Sequence, residues 1–193
     1  GDVISKIHIL VPVILSSLAM TVLLRRSYHL ALASTIVGAL FYTYSPLIFN
    51  SSVAGFLKIL WAYPFIPLAL FFYRNLLSTY FRECRVSLLH AWLTSIAVGF
   101  SFSDIHFLLF TPLLILTYWA YYCFRTIITG SLKLFRKIII SLAVTLTILF
   151  SGILLQGNII AIFLVNSSAV LRHVSRAIVH WNVFRSPEPL LSY

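Results

Sequence analysis

Long apolar stretches separated by short polar and basic punctuation dominate the chain. A helix needs about 20 mostly apolar residues to cross a hydrocarbon core, because each residue rises only about 1.5 Å. Six stretches meet or approach that length: Ile7 to Leu24, Leu30 to Phe49, Ala54 to Phe72, Val86 to Phe102, Ile105 to Phe124 and Ile138 to Leu155. Arg25 and Arg26 close the first, Pro46 interrupts the second late, and the third carries Lys58, Pro64 and Pro67. A seventh apolar piece, Ile159 to Val165, is too short to cross. The pattern predicts an all-α fold, a polytopic integral membrane helical bundle of about six transmembrane helices over residues 1–158.

Beyond that bundle, residues 159–193 read as an amphipathic tail or as the start of a further domain. Val170, Leu171, Val174, Ile178 and Trp181 recur at helical spacing opposite Arg172, His173, Arg176, His180 and Arg185. Such a segment suits a helix lying in the headgroup region, and equally a connector leading onward. Ser186-Pro187-Glu188-Pro189 ends any helix there. Gly1 in the place of Met reads as a processed chain or a piece of a longer one, and Ile7 onward has the wrong length and flanks for a signal peptide.

Composition narrows the class. Hydrophobic residues make up 61% of the chain, charged residues 9%, and the mean hydropathy is +1.01, whereas an ordinary globular domain is about a quarter charged. A soluble enzyme, a disordered tail and a free nucleic-acid-binding module are all excluded on that ground. The formal net charge of +10 comes from 14 Lys and Arg against 4 Asp and Glu. Arg25, Arg26, Arg74, Arg82, Arg85, Arg125, Lys133, Arg136 and Lys137 all follow the odd-numbered stretches, and the connections after the even-numbered ones hold no Lys or Arg. Cations collect on the cytoplasmic side of membrane proteins, so the expected protein is multi-pass in the cell membrane with its N-terminus outside. Cys84 and Cys123 match no metal or disulfide spacing and read as reduced structural residues.

Candidate chemistry is sparse, since an ionisable group at membrane depth must face a cavity, a partner or an interface. Asp2 and Asp104 fall on the same outer face, with His8 and His106 near them. Two carboxylates and two imidazoles at one face suit a general base with its orienting partner, or a divalent cation. Acidic residues also simply favour outer loops. Lys58, a turn inside the outer end of the third stretch, is placed to snorkel outward or to meet a lipid-linked phosphate. Tyr42, Tyr44, Trp61 and Tyr63 gather near the same surface as an interfacial belt or as platforms for sugar stacking. Pro46, Pro64, Pro67 and Pro112 should kink their helices. The histidines also admit two haem-clamping pairs, His8 with His106 and His29 with His90, as in a haem b membrane anchor. No Gly-rich phosphate loop, Cys-x-x-Cys or His-Glu-x-x-His pattern is present.

The run Ala39-Leu40-Phe41-Tyr42-Thr43-Tyr44-Ser45-Pro46, followed by Trp61-Ala62-Tyr63-Pro64-Phe65-Ile66-Pro67-Leu68, resembles prokaryotic, particularly archaeal, polytopic membrane glycosyltransferases of the C superfamily. Val98-Gly99-Phe100-Ser101-Phe102-Ser103-Asp104-Ile105-His106-Phe107 resembles the outer turn those proteins place between two later spans. The resemblance covers roughly Ile7 to Phe124 and lacks the family's catalytic motif, which belongs to the first outer loop; Asp2 would be the remnant of that loop. It implies transfer of a sugar from a polyprenyl-phosphate carrier at the outer membrane face. Asp104 and Asp2 would supply the base, His106 would orient it, and Lys58 would sit near the donor phosphate, with Tyr44, Trp61 and Tyr63 at the substrate. The expected partners are the lipid bilayer, a polyprenyl-phosphate sugar and other membrane proteins, without nucleic acid. The alternative is a non-catalytic subunit of a larger membrane assembly.

Overall fold

The computed structural model describes residues 2–53, 57–128 and 134–157. Among them every regular element is helical: α1 (Asp2–Val22) running into a π-helical turn (Leu23–Ser27), α2 (Leu32–Thr43), α3 (Pro46–Val53), α4 (Leu57–Ala62), α5 (Phe65–Glu83), α6 (Leu88–Ser101), α7 (Ile105–Ile128) and α8 (Leu134–Leu155). The piece Ile159 to Val165 and the tail 159–193 lie outside the described residues.

Four segments are long and apolar enough to cross a membrane: Lys6–Ser27, Leu32–Ser51, His106–Ile127 and Phe135–Leu155. The other two expected crossings take different forms. Ala54 to Phe72 is not one helix: Pro64 and Pro67 remove two amide donors, and the chain turns at Tyr63-Pro64 between α4 and α5. α5 instead continues to Glu83, carrying Arg74, Asn75, Ser78, Thr79 and Arg82. In place of Val86 to Phe102 stands α6, whose 14 residues span about 21 Å. The second stretch is likewise interrupted, at Tyr44-Ser45, where Pro46 opens α3.

α5 is the central helix, packed against α1, α6, α7 and α8. Its buried side chains Ala69, Tyr73, Leu76 and Leu77 form one core with Ala97, Val98, Phe102, Ile115, Ile148 and Leu149. Polar groups inside that core are matched. The Tyr73 hydroxyl donates to Thr145 Oγ1 at 2.7 Å, and Thr145 in turn donates to the Ser141 carbonyl. Trp119 Nε1 donates to Ser141 Oγ at 3.0 Å. Lys137 of α8 donates to the Phe81 carbonyl at 3.1 Å, satisfying one of the last carbonyls of α5 with a cation. Gly152 lets α8 approach α6 closely: a Cβ there would lie 2.7 Å from Val98 Cγ1 and 3.3 Å from the Gly99 nitrogen.

Short connections bind consecutive helices. Arg25 donates to the Leu30 carbonyl at 2.9 Å across the turn between α1 and α2, where His29 adopts a positive φ of 53°. Cys84 ends α5 in the same left-handed conformation and donates its amide to the Tyr80 carbonyl. Both cysteines are free, Cys84 exposed and Cys123 buried. Large apolar side chains face outward: Phe41, Leu88, Leu109 and Phe135 are 76–80% exposed, the reverse of a protein that hides such surface from water.

Candidate functional site

The two interrupted helices meet at their breaks. Pro46 has no N–H, so the Tyr42 carbonyl four residues earlier loses its helical donor; Pro67 does the same to the Tyr63 carbonyl. Only a 3.3 Å turn bond reaches each from within its own segment, from Ser45 and Ile66 respectively. Each tyrosine repairs the other's segment. Tyr42 donates its hydroxyl to the Tyr63 carbonyl at 2.9 Å, and Tyr63 donates to the Tyr42 carbonyl at 3.2 Å. Their rings stack at 4.2 Å with 16° between planes. Ser45 Oγ lies 3.1 Å from the Tyr63 hydroxyl and is free to donate to it. With no water inside a bilayer, exposed carbonyls of this kind need such internal donors.

This interlock forms one wall of a cavity of about 350 Å³, whose other described lining residues are Leu47, Ile66, His106, Phe107 and Phe110. Phe107 tilts against Tyr63 with ring centroids 6.1 Å apart. At the rim, Asp104 precedes α7 and its Oδ1 accepts two bonds, from the His106 amide at 2.9 Å and from His106 Nδ1 at 2.7 Å. The first bond is a helix N-cap, favoured because the opening amides of a helix have no partner within it. The second fixes the imidazole. The Asp104 side chain is 13% exposed and that of His106 75%, so the carboxylate is largely enclosed while most of the imidazole is exposed.

Of the sequence-derived site residues, Asp104, His106 and Tyr63 come together. Trp61 instead meets His8 edge to face, with centroids 6.1 Å apart, and Tyr44 and Lys58 are exposed and are not among the described residues lining the cavity. The backbone of Asp2 opens α1, and its side chain lies outside the described residues. Among the described residues no three His, Cys, Asp or Glu side chains gather as a metal site. His90 Nδ1 is engaged 2.8 Å from Ser87 Oγ.

Sequence reasoning did not single out the apolar lining from Leu47, Phe107 and Phe110, nor the reciprocal repair itself. Its signal was present as tyrosine followed by proline at the fourth position, twice: Tyr42 to Pro46 and Tyr63 to Pro67. Compared with models of protein families, with curated proteins and with solved structures, the chain matches none.

Proposed function

We propose that the chain is a six-crossing membrane module of a transferase that moves a sugar from a polyprenyl phosphate to an acceptor hydroxyl at the outer face of the cell membrane. α5 and α6 supply the two crossings beyond the four long apolar segments, since α5 lies among helices of spanning length and α6 packs between α5 and α8. The observation that carries the reading is the hydrogen-bonded Asp104–His106 pair at the rim of an apolar cavity. His106 Nε2 is the base, and Asp104 orients the ring and offsets the charge it acquires, the reverse of the roles drawn from sequence. The acceptor oxygen attacks the anomeric carbon as its proton passes to Nε2, and the lipid phosphate leaves with the electrons of the broken bond. The apolar wall of Leu47, Phe107 and Phe110 suits the first prenyl units.

A second reading is favoured by the capping bond from the His106 amide: Asp104 then serves only to start α7 in a non-catalytic subunit. Turnover of a polyprenyl-linked sugar in membranes carrying the chain separates the two. His106→Gln is expected to lower transfer by about 10²–10⁴-fold, the range of general base catalysis. Asp104→Asn keeps an N-cap acceptor while removing the charge, so it should retain the helical content and lose transfer. Unaltered turnover in His106→Gln removes the pair from any reaction and leaves the subunit reading.

A further inference from the structure

The opposite end of α5 and α7 holds a second, larger cavity, of about 620 Å³. Leu70, Arg74 and Ser78 line it from α5 at spacings of four, and Leu114, Tyr118, Tyr121 and Arg125 line it from α7 at spacings of four, three and four. Residues so spaced share one helix face, so two facing stripes form a slot. Each stripe is graded, with leucine at one end and polar or cationic groups at the other. Tyr28, from the turn after α1, covers the slot with its ring, and the Arg74 guanidinium carbon lies 4.9 Å from the ring centroid.

The Arg74 Nη1 is buried with no hydrogen-bond partner. A buried cationic donor without an acceptor is costly, and more so in a bilayer. The lining residues include no carboxylate, and Arg125 brings a second positive charge to the same slot. The described acidic side chains are committed elsewhere: Glu83 pairs with Arg82 at 2.9 Å, and Asp104 holds His106 at the other end of α7. The two cavities share no described lining residue, although Phe110 and Leu114 bring them within one turn of each other along α7.

We infer that this slot binds the phosphate group of an anionic phospholipid, with Arg74 and Arg125 on the phosphate oxygens and an acyl chain against Leu70 and Leu114. A planar guanidinium fork matches phosphate geometry. The cations Arg25, Arg26 and Arg85 border the same connections in sequence and would concentrate anionic lipid there. The apolar floor argues for a lipid over a soluble phosphate. The inference stands independently of the transferase reading.

Native mass spectrometry of the full chain in neutral detergent, titrated with phosphatidylglycerol, phosphatidylcholine or inorganic phosphate, tests it. Phosphatidylglycerol should be retained preferentially, and Arg74→Gln should weaken that retention about tenfold or more. Arg125→Gln should act in the same direction, and its position at the slot's polar end keeps the test open if Arg74→Gln fails to fold. Arg74→Lys, which keeps the charge and loses the fork, should fall between. Arg82→Gln, whose parent side chain is 78% exposed and paired with Glu83, should retain lipid as the parent does. Equal retention by folded Arg74→Gln and Arg125→Gln overturns the site, and so does an equal loss in Arg82→Gln, which would reveal diffuse surface attraction. Inorganic phosphate displacing the lipid at matched concentration would overturn the lipid as ligand and assign the slot to a soluble phosphate.

Discussion

Tyr42 and Tyr63 show how two side chains turn a backbone defect into a joint. A proline within or at the start of a helix leaves a carbonyl without its helical donor four residues earlier, and here the Tyr42 and Tyr63 carbonyls each take a hydroxyl from the other segment. Tyr63→Phe deletes one of two donors to the Tyr42 carbonyl, leaving only the long Ser45 turn bond, and should cost about 0.5–1.5 kcal/mol of stability, the net worth of one hydrogen bond. Pro46→Ala returns an amide donor to the neighbourhood of that carbonyl. The double variant Tyr63→Phe with Pro46→Ala should therefore melt closer to the parent in detergent micelles than Tyr63→Phe alone. Additive losses would show that the hydroxyl stabilises something other than that carbonyl. The spacing behind this joint also lies inside the two runs that resemble membrane glycosyltransferases. Tyr63, expected at a substrate, has its hydroxyl occupied and presents chiefly ring surface to the cavity.

Helix lengths and breaks follow from where amide donors are missing and from how closely neighbouring helices can approach. α6 is short, yet it packs between α5 and α8 through Val98, Gly99 and Phe102 against Ile148, Leu149 and Gly152. Gly152→Val would drive a branched side chain into Val98 and the Gly99 backbone, with an expected loss of about 1–3 kcal/mol, read as a lower melting temperature of the detergent-solubilised chain. An unchanged melting temperature would mean that α6 and α8 slide apart without cost. The division of Ala54 to Phe72 at Tyr63-Pro64 was only partly legible in the sequence. Pro64 and Pro67 announce a disturbance, but a proline in a membrane helix produces a kink or a full turn according to what meets the freed carbonyls. Here the Tyr42 hydroxyl and the Ile66 amide both donate to the Tyr63 carbonyl, and the chain turns.

Across the whole molecule, one end gathers Tyr42, Tyr63 and the Asp104–His106 pair, and the other gathers Tyr28, Arg74 and Arg125. This polarity accords with cations kept to alternate connections. In sealed vesicles, Arg25→Cys and His106→Cys, each in a Cys84→Ser background, should react with a membrane-impermeant maleimide from opposite sides. Reaction from one side only would sink the multi-pass arrangement. The helical class and four segments of spanning length were determined by the sequence itself, because composition and run length are local properties that each stretch carries alone. The segregation of arginines between alternate connections was equally visible for the same reason. Tertiary structure decided which hydroxyl repairs which carbonyl, which histidine borders a cavity, and that Nη1 of the half-buried Arg74 is left without an acceptor. Those outcomes depend on distances between helices far apart in the chain, and no local pattern encodes such distances.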